Sequence, residues 1–238
     1  MSNRDQTLVL IKPDALKNSL TGYIFSTLSE FHTGLRFAGT KVVHVTEMLA
    51  EEHYAEHRGK SFFPPLIDYV TGKIHFENQP ENQRVIAIVY MGENAVKKIR
   101  EFAGPTNPMT ARDEKPGCIR ALGTVYHIKN EKGEITDTRM DNLIHGSASN
   151  EEAEREIKMW FKPNDIPQAM RIYETENADR NFFYKDGKLF ENYVPQSVCI
   201  LAQGDLAWKS DLDGLKKIAN NESSPVTLNA VIAKYLLN

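Results

Sequence analysis

Residues 84–104, RVIAIVYMGENAVKKIREFAG, decide the fold class. A continuous apolar run, Val85 to Met91, ends at Gly92. It is too short for a buried helix bounded in this way and is rich in β-branched residues, so it reads as a strand covered on both faces. From Glu93 the period changes. Val96, Ile99 and Phe102 fall on one face, with Gly104-Pro105 as the stop, which predicts an amphipathic helix. A second buried strand is predicted at 7–11 (TLVLI), closed by Lys12-Pro13-Asp14 because proline cannot continue a central ladder. A helix follows in 21–34, with Ile24, Leu28 and Phe31 at helical spacing and Gly34 as its C-terminal stop. Further elements are a strand at 35–45, helices at 47–57 and 61–72, and a hairpin across 126–136. Strands alternating with helices give βαβ-type wiring through residue 161.

Segment 105–119 (PTNPMTARDEKPGCI) is long for a connection, and loops of that length are usually functional or disordered. After the two-proline linker 162–167, residues 182–193 predict a hairpin turning at Asp186-Gly187. Residues 197–204 predict a strand. A last helix spans 223–237, with a serine ahead of Pro225 in cap-then-N1 order.

The totals narrow the function. The chain has 238 residues, 41% hydrophobic and 26% charged, an ordinary globular composition. A net charge of −3 gives no general attraction to nucleic acid or to anionic membrane, so an anionic ligand needs a local cluster of Lys and Arg. Two distant cysteines, Cys118 and Cys199, exclude a disulfide framework and a four-cysteine zinc site. No signal or membrane-spanning pattern occurs, and the cytoplasm is expected.

The chemistry centres on DNLIHGSASNEEAEREI, residues 141–157. Ser149 and Glu152 fit a capping box, so a helix starts at Asn150. Ala153, Ile157, Trp160 and Phe161 form its buried stripe, with Ser149, Glu152 and Glu156 on a neighbouring polar face. His145 lies just ahead. A carboxylate on that face can hold one imidazole nitrogen and leave the other free to react. On this stretch alone an ordinary loop histidine is the default, since the chain has seven. Distant residues alter that. Arg100, Thr106 and Arg120 flank the 105–119 loop as a phosphate clamp. Lys12 ends a buried strand, and Phe62 opens a helix where it could stack a base. His53 and His57 at i, i+4 raise a metal-hydrolase alternative, but Ala55-Glu56 does not match His-Glu-x-x-His.

Five blocks, in order, resemble the nucleoside diphosphate kinases: TLVLIKPDAL, EEHYAEHRGKSFFPPLIDYV, GENAVKKIREFAGPTNP, KPGCIRA and NLIHGSASNEEAEREIKMWF. The resemblance covers about residues 5–165. It implies an α+β, ferredoxin-like βαββαβ antiparallel sheet with helices on its faces. It implies a kinase-like domain over 1–165 and a mixed α/β C-terminal extension over 166–238. His145 would accept the γ-phosphate of a nucleoside triphosphate and pass it to a diphosphate in a ping-pong cycle. Glu156 would hold the other imidazole nitrogen, supported by Ser147. Lys12 and Asn142 would contact the ribose or nearby phosphate, Phe62 would stack on the base with Leu66 beside it, and Tyr54, Arg100, Thr106 and Arg120 would surround the phosphates. Mg²⁺ would ride on the nucleotide phosphates, with no side-chain metal site. A homo-oligomer, at least a dimer, is implied, with no membrane and no specific nucleic-acid partner. The chain departs from the family in a longer 72–84 segment, three added residues in 109–115, and about a dozen filling 124–141. It also has Ala148 where the family commonly has Asp. Catalytic loss, leaving a nucleotide-binding module, is the alternative that these insertions raise. The unmatched residues 168–238 are expected to form a dimerisation or lid element packed on the kinase core.

Overall fold

The computed structural model describes residues 5–237. Its first half runs β1 (Asp5–Ile11), α1 (Pro13–Lys17), α2 (Thr21–Thr27), α3 (Glu30–Thr33), β2 (Arg36–Val43), α4 (Glu47–His53), α5 (Phe63–Val70), β3 (Val85–Gly92) and α6 (Ala95–Ala103). Then come α7 (Pro108–Glu114), β4 (Thr124–Lys129), β5 (Ile135–Asp141), β6 (Ile144–Gly146) and α8 (Asn150–Trp160). The central sheet has the order β2-β3-β1-β6, every neighbouring pair antiparallel. Strands β1 and β2 therefore run in the same direction with β3 between them. The alternating wiring yields a split, ferredoxin-like sheet and not a parallel one.

Both faces of this sheet are covered, which explains the unbroken apolar runs. Leu8 and Leu10 pack on one side with Val85, Ala87, Val89, Trp160 and Phe161. Val9 and Ile11 pack on the other with Ile88, Tyr90 and Ile99. Alternation of side chains along a strand sends successive residues into opposite layers.

Several sequence expectations are corrected. The 21–34 helix is two helices. Ser29 caps α3, accepting from the His32 amide at 3.4 Å, and the break turns Phe31 outward to 92% exposure. The 105–119 segment is not a loop throughout: it holds α7, with Asn107 capping Met109 N at 2.8 Å and Pro108 at N1. The 126–136 hairpin is longer than expected, a two-stranded ribbon of β4 and β5 that joins no other sheet.

The C-terminal section contains β7 (Thr175–Asn177), β8 (Phe182–Lys185), β9 (Lys188–Phe190), β10 (Val198–Leu201), β11 (Leu206–Trp208), α9 (Lys209–Ala219) and α10 (Leu228–Tyr235). The hairpin at Asp186-Gly187 forms as expected, both residues at positive φ (46° and 79°). Helix α9 was not anticipated. Helix α10 is capped by Thr227 and not by the serine before Pro225. Phe182, Leu201, Leu212, Leu215, Val231 and Ile232 form a separate apolar cluster. The section is fastened to α4 and α8. Trp208 is buried with Trp160 and Phe161, and its indole N–H donates to Phe161 O at 2.7 Å. Thr227 donates to Glu52 Oε2 at 2.6 Å. The Lys234 ammonium, fully buried, donates to Lys158 O at 2.6 Å and pairs with Asp211.

A buried ion pair is costly to break from one side. Lys234→Met is expected to destabilise the fold by about 3–5 kcal/mol, because Asp211 is left charged in the interior. Adding Asp211→Leu is expected to restore most of that loss, as read by urea denaturation.

Among the described residues, no helix is long and apolar enough to cross a membrane.

Candidate active site

His145 is not on a loop. It sits in the middle of β6, opposite Leu10 of β1. The segment leading to it is bent: Leu143 has φ 69°, and Ile144 N donates to Asn142 O at 2.8 Å, closing a three-residue turn. A buried leucine in this conformation is strained, and the β1–α1 junction holds it. Leu143 N donates to Asp14 Oδ2 at 2.9 Å, and Lys12 N donates to Leu143 O at 2.9 Å.

Beyond His145 the chain is pinned again. Ser147 Oγ accepts from Leu8 N at 3.1 Å and donates to Glu156 Oε2 at 2.6 Å. Ser149 caps α8 as expected, accepting from Glu152 N at 3.2 Å. Glu152 reaches back to Ala148 N, also at 3.2 Å, one residue short of a strict capping box. Glu156 is not on a solvated face: its side chain is buried.

Glu156 Oε1 lies 2.9 Å from His145 Nε2, although the ring N–H is not aligned on the oxygen. Nδ1 of His145 is the nitrogen that does not face the carboxylate. Burial alone would raise the Glu156 carboxyl, but the imidazoles of His145 and His53 and the Ser147 hydroxyl hold it down at about 2. The carboxylate is therefore charged throughout the neutral range.

His53 completes this group, a position that no local spacing in the chain predicts. Its ring stands edge-on to His145 with centroids 4.6 Å apart. Trp160 Nε1 donates to His53 Nδ1 at 3.1 Å, so the His53 proton belongs on Nε2, which faces Glu156 Oε1 at 3.9 Å. Burial, reinforced by His145, pushes His53 down to about 3, so this ring stays neutral. His57 turns elsewhere, its Nε2 lying 3.5 Å from Glu56, and it is not among the described residues whose ligand atoms cluster with those of His53. Among the described residues the one group of potential ligands is His53, His145 and Glu156. Two imidazoles and a carboxylate already committed to two partners do not suit Mg²⁺, which prefers an oxygen octahedron.

The cations and hydroxyls expected around a phosphate form a connected chain. Lys12 Nζ donates to Asn142 Oδ1, and Asn142 Nδ2 donates to Thr106 O at 3.0 Å. Burial lowers Lys12 to about 8, against the opposing charge of Asp14, so it is a cation at neutral pH. Arg120 donates to Gly104 O at 2.9 Å and to Ile144 O at 3.3 Å, next to His145, and its Nε has no hydrogen-bond partner among the described residues. Tyr54, the C-cap of α4, stands edge-on to His145 at 6.5 Å and stacks on His57 at 6.2 Å. Phe62, half exposed, meets His57 edge-on at 5.4 Å, and Leu66 lies one turn along α5. Arg100 is the outlier. It borders an open cleft of about 410 Å³ with Lys97, Ala148 and Ser149. Its charge reaches Arg120, whose guanidinium is lowered first by burial and then by Arg100.

This arrangement fixes an acid response. The unfolded chain protonates His53 near its ordinary 6.5, whereas the folded chain does so only at about 3. Stability therefore falls as pH drops from 6.5 toward 3. Glu156 adds to the fall between its ordinary 4.5 and about 2, because its depressed value stabilises the fold above that range. The thermal midpoint is expected to decline below pH 6.5 and more steeply below 4.5. His53→Phe is expected to remove the upper limb, as followed by calorimetry.

The model for the nucleoside diphosphate kinase family matches residues 5–166. The Pyrococcus horikoshii nucleoside diphosphate kinase is 38% identical over 187 residues, covering 79% of this chain and 99% of that protein. The Actinobacillus pleuropneumoniae nucleoside diphosphate kinase is 40% identical over 161 residues, covering 68% and 97%. Among solved structures, the Aquifex aeolicus nucleoside diphosphate kinase superposes with a TM-score of 0.54 at 30% identity, covering 69% of this chain and 99% of that one. The Halobacterium salinarum nucleoside diphosphate kinase, in complex with CDP, superposes with a TM-score of 0.53 at 31% identity, covering 71% and 95%. The chain belongs to the nucleoside diphosphate kinase family. It is an enzyme that acts on nucleotides, built on the ferredoxin-like sheet described above.

As a nucleoside diphosphate kinase it carries one substitution beside the histidine. Ala148 lacks a carboxylate, but its backbone N–H is satisfied by Glu152, so the turn into α8 is kept. The family model stops at 166, and the C-terminal section lies almost wholly beyond it.

Proposed function

We propose that His145 Nδ1 is the phosphate acceptor of a ping-pong exchange between nucleoside triphosphates and diphosphates. The observation that carries this reading is the orientation of the ring, with Nε2 on Glu156 at 2.9 Å and Nδ1 left to react. In the first half-reaction the Nδ1 lone pair forms a bond to the γ-phosphorus. The bond from that phosphorus to the β-γ bridging oxygen breaks, and the diphosphate leaves with the electron pair. The proton stays on Nε2, and the positive charge that develops on the ring is balanced by the Glu156 carboxylate. In the second half a terminal oxygen of another diphosphate attacks the phosphohistidine, and the N–P bond breaks back to Nδ1. A covalent intermediate divides one difficult exchange into two steps.

The remaining roles follow from charge and position. Arg120 and Arg100, with Thr106 and the Tyr54 hydroxyl, surround the phosphates. Burial pushes the Tyr54 phenol well above its usual value, so it remains a hydroxyl donor. Lys12 and Asn142 serve the ribose and adjacent phosphate. Phe62 stacks on the base beside Leu66, a contact tolerant of base identity. A Mg²⁺ ion carried on the substrate phosphates would supply neutralisation of their charge when bound, with Arg100 and Arg120 beside it. The chain works as a homo-oligomer, at least a dimer. Its place is the cytoplasm, in keeping with two unpaired cysteines, one of them exposed. Residues 1–165 form the kinase domain, and 166–238 an extension that braces α4 and α8.

Initial rates with varied triphosphate and diphosphate test the cycle. Parallel double-reciprocal lines are expected. Intersecting lines, or nucleotide binding without exchange as in a module that has lost turnover, would refute it.

A further inference from the structure

Two segments that lengthen this chain, 72–84 and the β4–β5 ribbon, meet at one buried side chain. Asp141 is the last residue of β5. His75, from the first segment, places Nε2 2.7 Å from Asp141 Oδ2. Arg139, from the ribbon, donates through Nε to Asp141 Oδ1 at 2.9 Å and lies over the Tyr126 ring at 4.4 Å. His75 and Asp141 are both buried. Both carboxylate oxygens are thus bound, and each partner belongs to a different added segment.

The next residue is Asn142, which takes the Lys12 ammonium on Oδ1 and holds Thr106 O through Nδ2. The same His75 ring packs edge-on to Tyr69 at 5.3 Å, and Tyr69 underlies Lys12 Nζ at 4.8 Å. His75 therefore borders the Lys12–Asn142 pair from two directions, through Asp141 and through Tyr69. One residue further on, Leu143 is held at φ 69°. A strained turn keeps its shape only while its flanks are fixed, and Asp141 is the flank on the N-terminal side.

We propose that His75 is a positioning residue of the nucleotide site, acting through Asp141 to fix Asn142 and the Lys12 ammonium in register with His145. The proposal rests on the reading of His145 as phosphate acceptor. It makes a charge-assisted hydrogen bond between the two added segments part of the nucleotide-binding floor. His75 does not touch the reacting atoms, so its loss acts on nucleotide affinity and leaves the intrinsic transfer step alone.

The test uses the full chain and two substitutions. His75→Phe keeps a ring against Tyr69 and removes the donor. His75→Gln keeps an N–H donor within reach of Asp141. For His75→Phe the nucleotide KM is expected to rise about tenfold with kcat within about threefold of wild type, the cost of a buried carboxylate losing one bond. His75→Gln is expected to return KM close to wild type. Asp141→Asn raises KM in the same direction and decides the matter if the Phe variant does not fold. A Phe variant with wild-type KM, or a Gln variant no better than Phe, overturns the proposal. So does a rise in KM accompanied by comparable losses in kcat and thermal midpoint, which is the mark of a purely structural residue. Acid-labile phosphoenzyme is measured on wild type in the same series. Its absence there defeats the His145 reading itself, and its presence with an unchanged His75→Phe KM defeats this proposal alone.

Discussion

His145→Ala is expected to lose nucleotide exchange by a factor on the order of 10⁴ or more, because no other described side chain offers a nucleophile where this ring stands. Its neighbours cannot substitute. His53 has its Nδ1 engaged by Trp160 and is fully enclosed. Tyr54 is held as a phenol by burial. Nucleotide affinity is expected to change little, since Lys12, Arg120, Asn142 and Phe62 remain. A stopped-flow binding measurement beside the exchange assay separates the two. Comparable loss of binding and turnover would mean that the histidine is structural.

Glu156→Ala has the second largest expected effect. The carboxylate serves Ser147 at 2.6 Å and His145 at 2.9 Å, with His53 at 3.9 Å behind it. Its removal leaves two imidazole nitrogens and a hydroxyl facing a void. It also removes the charge that balances the phosphorylated ring. Phosphoenzyme formation is expected to slow on the order of 10²–10³-fold, the range seen when one preorganised electrostatic partner is deleted. Stability is expected to fall by about 1–3 kcal/mol from the stranded polar groups. Glu156→Gln separates the two contributions. It keeps an oxygen to accept from Ser147, so stability is largely retained, but it lacks the charge, so the rate remains low. An unaffected rate in the Gln variant would show that orientation alone suffices.

The two central strands were legible because they are buried on both faces and carry unbroken apolar runs, Leu8 to Ile11 and Val85 to Tyr90, whereas the three-residue β6 is too short to show in the sequence. Helix α6 was equally plain from its stripe and its glycine stop. The failures have local causes. Phe31 continues the period of Ile24 and Leu28, but the Ser29 cap restarts the helix and turns Phe31 away. Helix α7 has only seven residues, too few for a period, although Asn107-Pro108 carried the cap signal. Helix α9 has Gly214 at its centre, which weakens the pattern. A Cβ there would lie 3.0 Å from Ser224 Oγ and Val226 Cβ, so the glycine admits the following segment. Ser224 looked like a helix cap and instead closes a tight turn on Val226.

The site divides in the same way. Lys12 and Arg120 announce themselves by residue type beside an element end, and His145 and Glu156 by their spacing around the capped start of α8. His53 and Asp14 do not, because what matters is a contact made across the fold. Trp160 lies 107 residues from His53, and Leu143 lies 129 residues from Asp14. No local spacing encodes either pair. The left-handed Leu143 is likewise invisible in a sequence whose usual rule assigns that conformation to glycine.

The central claim is that the phosphate in transit resides on His145. Brief incubation with a γ-labelled nucleoside triphosphate and Mg²⁺, digestion at neutral pH and mass localisation of the label test it directly. The expected result is one acid-labile phosphate on His145, discharged by added diphosphate and absent from His145→Ala. Label on any other residue, or exchange that persists in His145→Ala, would contradict it.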